Sequence, residues 1–162
     1  MLEVINRGIR TLCQFNVKVH YKDAQSSPLW TTDTLDDWSF DENKHSLRAS
    51  KCSVILSEEG SAYTLKSSVN PNSVLDMKFN KVAPGFVVGK DGTSYYGTDP
   101  SNPWGSVRHA FWPRCKVEGS LMTKTGPIDL RGKGTFIHAL QGMKPHHAGE
   151  QEHTFKPRRA LI

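Results

Sequence analysis

An all-β fold of short antiparallel strands, a barrel or a sandwich, is what this sequence predicts. Three observations carry the prediction. Apolar and polar residues alternate with period two, turn residues recur at close intervals, and no convincing long helix is present.

The first alternation is IRTLCQFNVKVHY, residues 9–21. Ile9, Thr11, Cys13, Phe15, Val17, Val19 and Tyr21 fall on one face, with Arg10, Gln14, Asn16, Lys18 and His20 on the other. A helix through Leu2, Ile5, Ile9 and Leu12 competes with it. Gly8 and the β-branched Val4, Ile5, Ile9 and Thr11 disfavour that helix. The strand is the preferred reading, and MLEVINRGIRT then reads as the end of one strand and the start of the next. KDAQSSPLWTTDTLDDW reads as a polar loop with a short helical turn at Thr34–Asp37. HSLRASKCSVILSEEGSAYTLKSSV predicts a hairpin turning at Glu58-Glu59-Gly60. SVLDMKFNKV alternates again, Val74, Asp76 and Lys78 against Leu75, Met77 and Phe79. In FVVGKDGTSYYG the tight turn Lys90-Asp91-Gly92 separates short apolar runs in a hairpin context. WPRCKVEGSLM and PIDLRGKGTFIHAL form the clearest hairpin, turning at Thr125-Gly126. Gly132 and Gly134 on the returning strand predict close approach of another backbone or a sharp bend.

Composition narrows the function classes. The chain of 162 residues is 36% hydrophobic, one domain or part of one, and no apolar run approaches the ~20 residues of a membrane helix. The start carries Glu3, Arg7 and Arg10 without an apolar signal core, which makes the cytosol or nucleus the default expectation. Cys13, Cys52 and Cys115 are odd in number, widely spaced and without a CxxC pair, so free thiols packed as small apolar groups are expected rather than redox sensors. Arg114 and Lys116 would favour a Cys115 thiolate, but a strand position explains the same neighbours. Residues 1–110 hold twelve Lys and Arg against twelve Asp and Glu. Residues 111–162 hold nine against four and supply the whole net charge of +5. Lys156, Arg158 and Arg159 make the basicity largely a tail property, and nucleic-acid binding becomes a weak hypothesis.

Candidate chemistry is sparse. FIHALQGMKPHHA contains His138, His146 and His147, but their spacing matches no zinc motif, so structural histidines are favoured and no metal is expected. General acid–base work by His109 or His138 would need a carboxylate, with Asp129 the nearest candidate. No phosphate-binding loop, nucleophile elbow or dinucleotide fingerprint occurs, and no cofactor is expected. The segment SNPWGSVRHAFWPRC is different, gathering Trp104, Arg108, His109, Phe111, Trp112 and Arg114. One reading is an aromatic plug at a barrel end, with arginines stacked on indoles. The other is the mouth of an apolar cavity, where guanidinium and imidazole groups meet a lipid's polar head.

VAPGFVVGKDGTSYYGTDPSNPWGSVRHAFWPRCKVEG and FIHALQGMKPHHA give the chain, over about residues 9–148, a strong resemblance to the fungal survival factor family of oxidative-stress survival proteins. The resemblance implies lipocalin-like β-barrels in tandem, located in the cytosol and peripherally on Golgi and endoplasmic reticulum membranes. It also implies ceramide binding and transfer without catalysis. A distant lipocalin-like group includes enzymes acting on isoprenoid lipids, which keeps an enzyme as the runner-up; a stress-response scaffold without ligand stands third. Residues 1–148 are then expected to form an N-terminal lipocalin-like domain lacking its first strands. Residues 149–162 would be a disordered basic tail, with the family's second barrel absent. The six residues of the aromatic–basic cluster are the expected ligand contacts, assigned from their chemistry rather than from a family motif.

Overall fold

The computed structural model describes residues 2–6, 11–22, 26–89 and 91–143. All regular structure among them is β: β1 (Leu2–Asn6), β2 (Thr11–Val19), β3 (Leu29–Thr34), β4 (Ser39–Phe40), β5 (Leu47–Arg48), β6 (Cys52–Leu56) and β7 (Ala62–Ser67). There follow β8 (Ser73–Lys81), β9 (Phe86–Val87), β10 (Thr93–Tyr96), β11 (Gly105–Thr123), β12 (Gly126–Asp129) and β13 (Gly132–Met143). The expected class is the one observed, all-β and antiparallel, consistent with a partial lipocalin-like barrel. The tail from residue 144, with His146 and His147, lies outside the described residues.

The chain divides into two compact units, Met1–Ala83 with Arg114–Gly134, and Pro84–Pro113 with Thr135–Ile162. In the larger unit β1, β2 and β3 form one sheet. A second runs β4-β5-β6-β7-β8 and on to β11, with β12 also on β11. Because β8 and β12 both pair with Ser120–Thr123, they occupy opposite edges of β11. Inward faces of both sheets meet in one core of Cys13, Phe15, Leu35, Leu47, Cys52, Leu75 and Leu121. Cys13 and Phe15 are the buried positions of the first alternation, as period two requires. Leu75 on β8 lies opposite both Ser67 of β7 and Leu121 of β11, so one buried row crosses three strands. Each fully buried leucine here contributes about 1.5–3 kcal/mol of hydrophobic free energy. Side chains also tie the start of β8 to β3. Asn70 donates to the Asp33 carboxylate at 3.1 and 3.3 Å, and the hydroxyls of Thr31 and Ser73 lie 3.1 Å apart.

The predicted hairpins over 52–67 and at Thr125-Gly126 both form. Four expectations need correction. The supposed polar loop contains β3, in register with β2 from Gln14↔Thr34 to Val19↔Leu29. Its half-buried positions include Thr31 and Asp33, so the strand alternates in burial without alternating in hydropathy. The expected helical turn is a pair of bends after Leu35, whose N–H bonds the Cys13 carbonyl at 2.9 Å. Next, β9 and β10 do not pair with each other; both pair with β11, at Ala110–Phe111 and Gly105–Arg108 respectively. Between these two segments the Gly92 N–H bonds the Gly89 carbonyl at 3.4 Å, and Asp91 and Gly92 are in a turn; Lys90, the first residue of the expected tight turn, lies outside the described residues. Finally, Gly134 does sit tightly, since an added Cβ would lie 2.7 Å from Val117 Cγ2, but Gly132 has open space. The backbone approach expected of that strand occurs at Gly119 instead. Its φ is +130°, and an added Cβ would meet the Asp76 carbonyl oxygen and lie 2.6 Å from Met77 Cα.

The cysteines pack as small apolar groups: Cys13, Cys52 and Cys115 are all free and buried. Burial pushes the Cys13 thiol up to about 11. It does the same to Cys52, to about 11, outweighing a hydrogen bond from Ser67 that favours the thiolate. Folding thus favours the protonated thiols. The unfolded chain releases these protons first, from about pH 9, so stability falls with rising pH between about 9 and 11. Thiol labelling at pH 8 should accordingly leave Cys13 and Cys52 untouched in the native protein and modify both on unfolding. Rapid native labelling of either would contradict the burial.

Candidate functional site

The candidate site is carried by the N-terminal half of β11 and the segments that pair with it. Period two divides the residues that the sequence groups together. Val107, His109 and Phe111 share one face of β11, while Arg108 and Trp112 share the other.

On the first face, Phe111 lies directly across from Phe86 of β9, and their rings stack with centroids 5.0 Å apart at 15°. The half-buried His109 ring stands 5.5 Å from Phe111 at 38°, and its carbonyl accepts the Val88 N–H at 3.3 Å. Val107, on the same face, is buried. The neighbouring chain remains open to solvent: Phe86 is 52% exposed, Val87 53% and Val88 43%. This face is an aromatic platform with one titratable ring at its border.

On the second face, Trp112 packs against Phe136 of β13, centroids 5.7 Å apart at 46°. The indole can approach the chain closely at this point because residue 85 is glycine. An added Cβ there would stand 2.9 Å from Trp112 Cδ1 and 3.0 Å from the Phe111 carbonyl oxygen. Arg108 is exposed and lies opposite Thr93 of β10.

The other two residues of the cluster are described by their own neighbours. Trp104 precedes β11, stacks on Tyr96 at 5.7 Å and 25°, and donates its N–H to the Tyr96 carbonyl at 2.9 Å. Arg114 belongs to the larger unit, is exposed, and accepts the Val82 N–H on its carbonyl at 3.1 Å. The structure thus brings His109 and Phe86 to Phe111, Trp112 to Phe136, and Trp104 to Tyr96.

Asp129, the carboxylate expected as a partner for His109 or His138, has a different neighbour. Both Asp129 oxygens are engaged by Arg131, whose guanidinium donates at 2.7 Å through Nε and whose N–H donates at 2.9 Å. The bond from the Arg131 side chain holds the Asp129 carboxyl below its ordinary range. His138 is half-buried on β13. Among the described residues no group of three or more His, Cys, Asp or Glu is gathered as a metal site.

Sequence reasoning missed a cleft of about 310 Å³ in the larger unit, lined by Leu12, Cys13, Thr34, Leu35, Asp36, Asp37 and Trp38. Its floor is core, since Cys13 and Leu35 are buried, and its rim is acidic. Trp38 stands edge-on to Phe40 at 6.0 Å. The volume is at the small end for a ligand pocket, room for part of a lipid rather than for two acyl chains. The two indoles of the loop segment were the available signal, but only the strand β3 brings Leu35 back to β2.

Comparison with known proteins gives this geometry a lineage. Three relatives named ceramide-binding protein svf1 align along most of the chain. The protein from Aspergillus fumigatus is 56% identical over 141 residues, covering 87% of this chain and 36% of its own length. That from Emericella nidulans is 52% identical over 145 residues, covering 89% and 38%. That from Schizosaccharomyces pombe is 42% identical over 137 residues, covering 85% and 36%. The chain therefore spans little more than a third of the length of these relatives. No solved structure matches it. The Svf1 family profile matches residues 3–154, which include β2 to β13 and the β11 aromatic segment, and the chain belongs to the Svf1 family.

Proposed function

We propose that this chain binds ceramide or a closely related sphingolipid and holds it as a carrier, without chemical turnover. The observation that carries the reading is the 56% identity over 141 residues to a protein named for ceramide binding. The chain corresponds to 36% of that relative, so the proposal concerns a binding step and not the longer protein's whole activity.

Physical chemistry supports the reading at two points. Each methylene buried from water contributes ~0.8 kcal/mol before the cost of ordering the chains, so an apolar aromatic surface suits acyl chains. The stacked Phe86 and Phe111 supply such a surface. His109 at its border supplies a donor or acceptor for an amide or hydroxyl, and Arg108 is the polar candidate of the opposite face. Turnover by the groups at hand has little to draw on. The Asp129 carboxylate is held by Arg131, and the Cys13 and Cys52 thiols ionise only far above neutral pH. On the same reading the protein acts in the cytoplasm, in peripheral contact with Golgi and endoplasmic reticulum membranes, and supports survival under oxidative stress.

Native mass spectrometry of the purified chain, with identification of any lipid that co-purifies, tests the binding step. One sphingolipid per folded chain is the expected result; a folded chain that stays empty after ceramide loading overturns it. The face used is read from Phe111→Ala and Trp112→Ala. They alter opposite sides of β11, so a ligand seated on one side is weakened severalfold by one variant and little by the other.

A further inference from the structure

Six of the ten exposed large apolar side chains among the described residues belong to the smaller unit, although it holds the shorter part of the chain. Contacts of β13 show how they divide between its faces. Phe136 packs on the Trp112 ring, and an added Cβ at Gly142 would lie 3.5 Å from the Ser106 hydroxyl. These contacts run along the stretch of β11 that β9 and β10 already pair with, and one edge of a strand takes one partner at a time. β13 therefore lies along the other edge, and β11 is the central strand of this unit. Because Phe136 shares the side of Trp112, Ile137 emerges on the side of His109 and Phe111. Phe86 lies across from Phe111 on that same side, with Val88 two residues further on. Ile137 is 55% exposed, so the open apolar face spans three strands. The positions that β9, β10, β11 and β13 contribute to it in this unit include no Lys, Arg, Asp or Glu. Exposed Val87, Tyr95 and Leu140 fall on the opposite side, which bears Arg108.

On the ceramide-binding reading, we propose that an uncharged sphingolipid lies on the Phe111 side of β11, its hydrocarbon crossing Phe86, Phe111 and Ile137 and its amide or hydroxyl at His109. Apolar side chains on both flanks of Phe111 give a chain contact along its length rather than at a single ring. His109, beside Phe111, can bond one polar group of the head. Charge decides which lipid fits. An ionised headgroup would meet no counter-charge on this face, and removing a charge from water without a partner is costly. A neutral head with hydroxyl and amide groups avoids that cost. Ile137 and Val88 thus become determinants of specificity on strands that flank the aromatic stack.

Two probes titrated into the full chain test this site: a fluorescent short-chain ceramide, and the same lipid carrying a 1-phosphate. The wild-type chain is expected to bind the uncharged probe about tenfold more tightly, the ratio that one unpaired polar group produces. Ile137→Arg should weaken ceramide severalfold and strengthen the phosphorylated probe, a gain that unfolding cannot imitate. Leu140→Arg adds the same charge to the other side of the same strand and should leave the ratio unchanged. If Ile137→Arg does not fold, Val88→Arg makes the same test from the β9 flank. A wild-type chain that binds neither probe overturns the ceramide-binding reading and this site with it. Ceramide binding that responds equally to Ile137→Arg and Leu140→Arg overturns the site alone, and so does a wild-type preference for the phosphorylated probe.

Discussion

Gly119→Ala is expected to unfold the larger unit at temperatures where the wild-type chain is native. Two costs coincide at this position. The backbone sits at φ +130°, which L side chains rarely adopt, and the new Cβ would enter the Asp76 carbonyl oxygen and approach Met77 Cα at 2.6 Å. Both neighbours are backbone of β8, paired with β11 through nine registered residues, so neither can step aside without breaking the ladder. Strain at such a position costs about 1–3 kcal/mol, and the backbone collision raises the total to roughly 4–5 kcal/mol, a large part of a small domain's stability. Gly126→Ala separates the two costs. Its φ is +118°, but nothing lies within 4 Å of the added Cβ, so the conformational cost stands alone. Thermal unfolding should show a large loss for Gly119→Ala and a modest one for Gly126→Ala. Equal losses would mean that the approach of β8 contributes nothing.

Leu121→Ala carries the next largest expected effect. Leu121 is 2% exposed, sits one turn of the pleat beyond Gly119, and belongs to the core shared by the two sheets of the larger unit. Truncation removes the transfer free energy of the lost methyl groups and leaves a cavity between strands that cannot collapse freely, about 2–5 kcal/mol in comparable cores. The adjacent Met122 points the other way and is 48% exposed, so Met122→Ala should cost within about 0.5 kcal/mol. Urea titrations of the pair would give a clear midpoint shift for Leu121→Ala only. Similar shifts for both would contradict the assignment of faces along β11.

The elements legible in the sequence are those whose burial and hydropathy agree. In β2, Cys13 and Phe15 are both apolar and buried, and Lys18 points outward. In β8, Val74, Asp76 and Lys78 are exposed while Leu75 is buried, as the alternation predicts. β3 escaped notice because Thr31 and Asp33 take its inward places and Trp30, 67% exposed, takes an outward one. Its stabilisation comes from pairing with β2 and from the Asn70 and Ser73 side chains, and neither is local in sequence. For the candidate site, composition drew attention to β11, and the structure divides the residues gathered there between the two faces of that strand. Period two, already visible in the sequence, suffices to separate His109 and Phe111 from Arg108 and Trp112. The Phe86–Phe111 stack was beyond such reading, since it depends on a register that follows a loop without regular structure.

The length of β11 has a consequence for synthesis. This one strand of 19 residues is the hydrogen-bonding partner of β8, β9 and β10, all of which precede it in the chain. A ribosome delivers those three segments first, and for the seconds needed to add the intervening residues they have no template to settle on. β8 meanwhile finds β7 through a short turn, so a nascent hairpin waits with one edge unsatisfied. Closing such distant pairs is slow because loop-closure entropy is lost before any contact compensates it. Chaperone occupancy of the emerging chain should therefore rise after residue 81 and fall once residue 123 has cleared the exit tunnel.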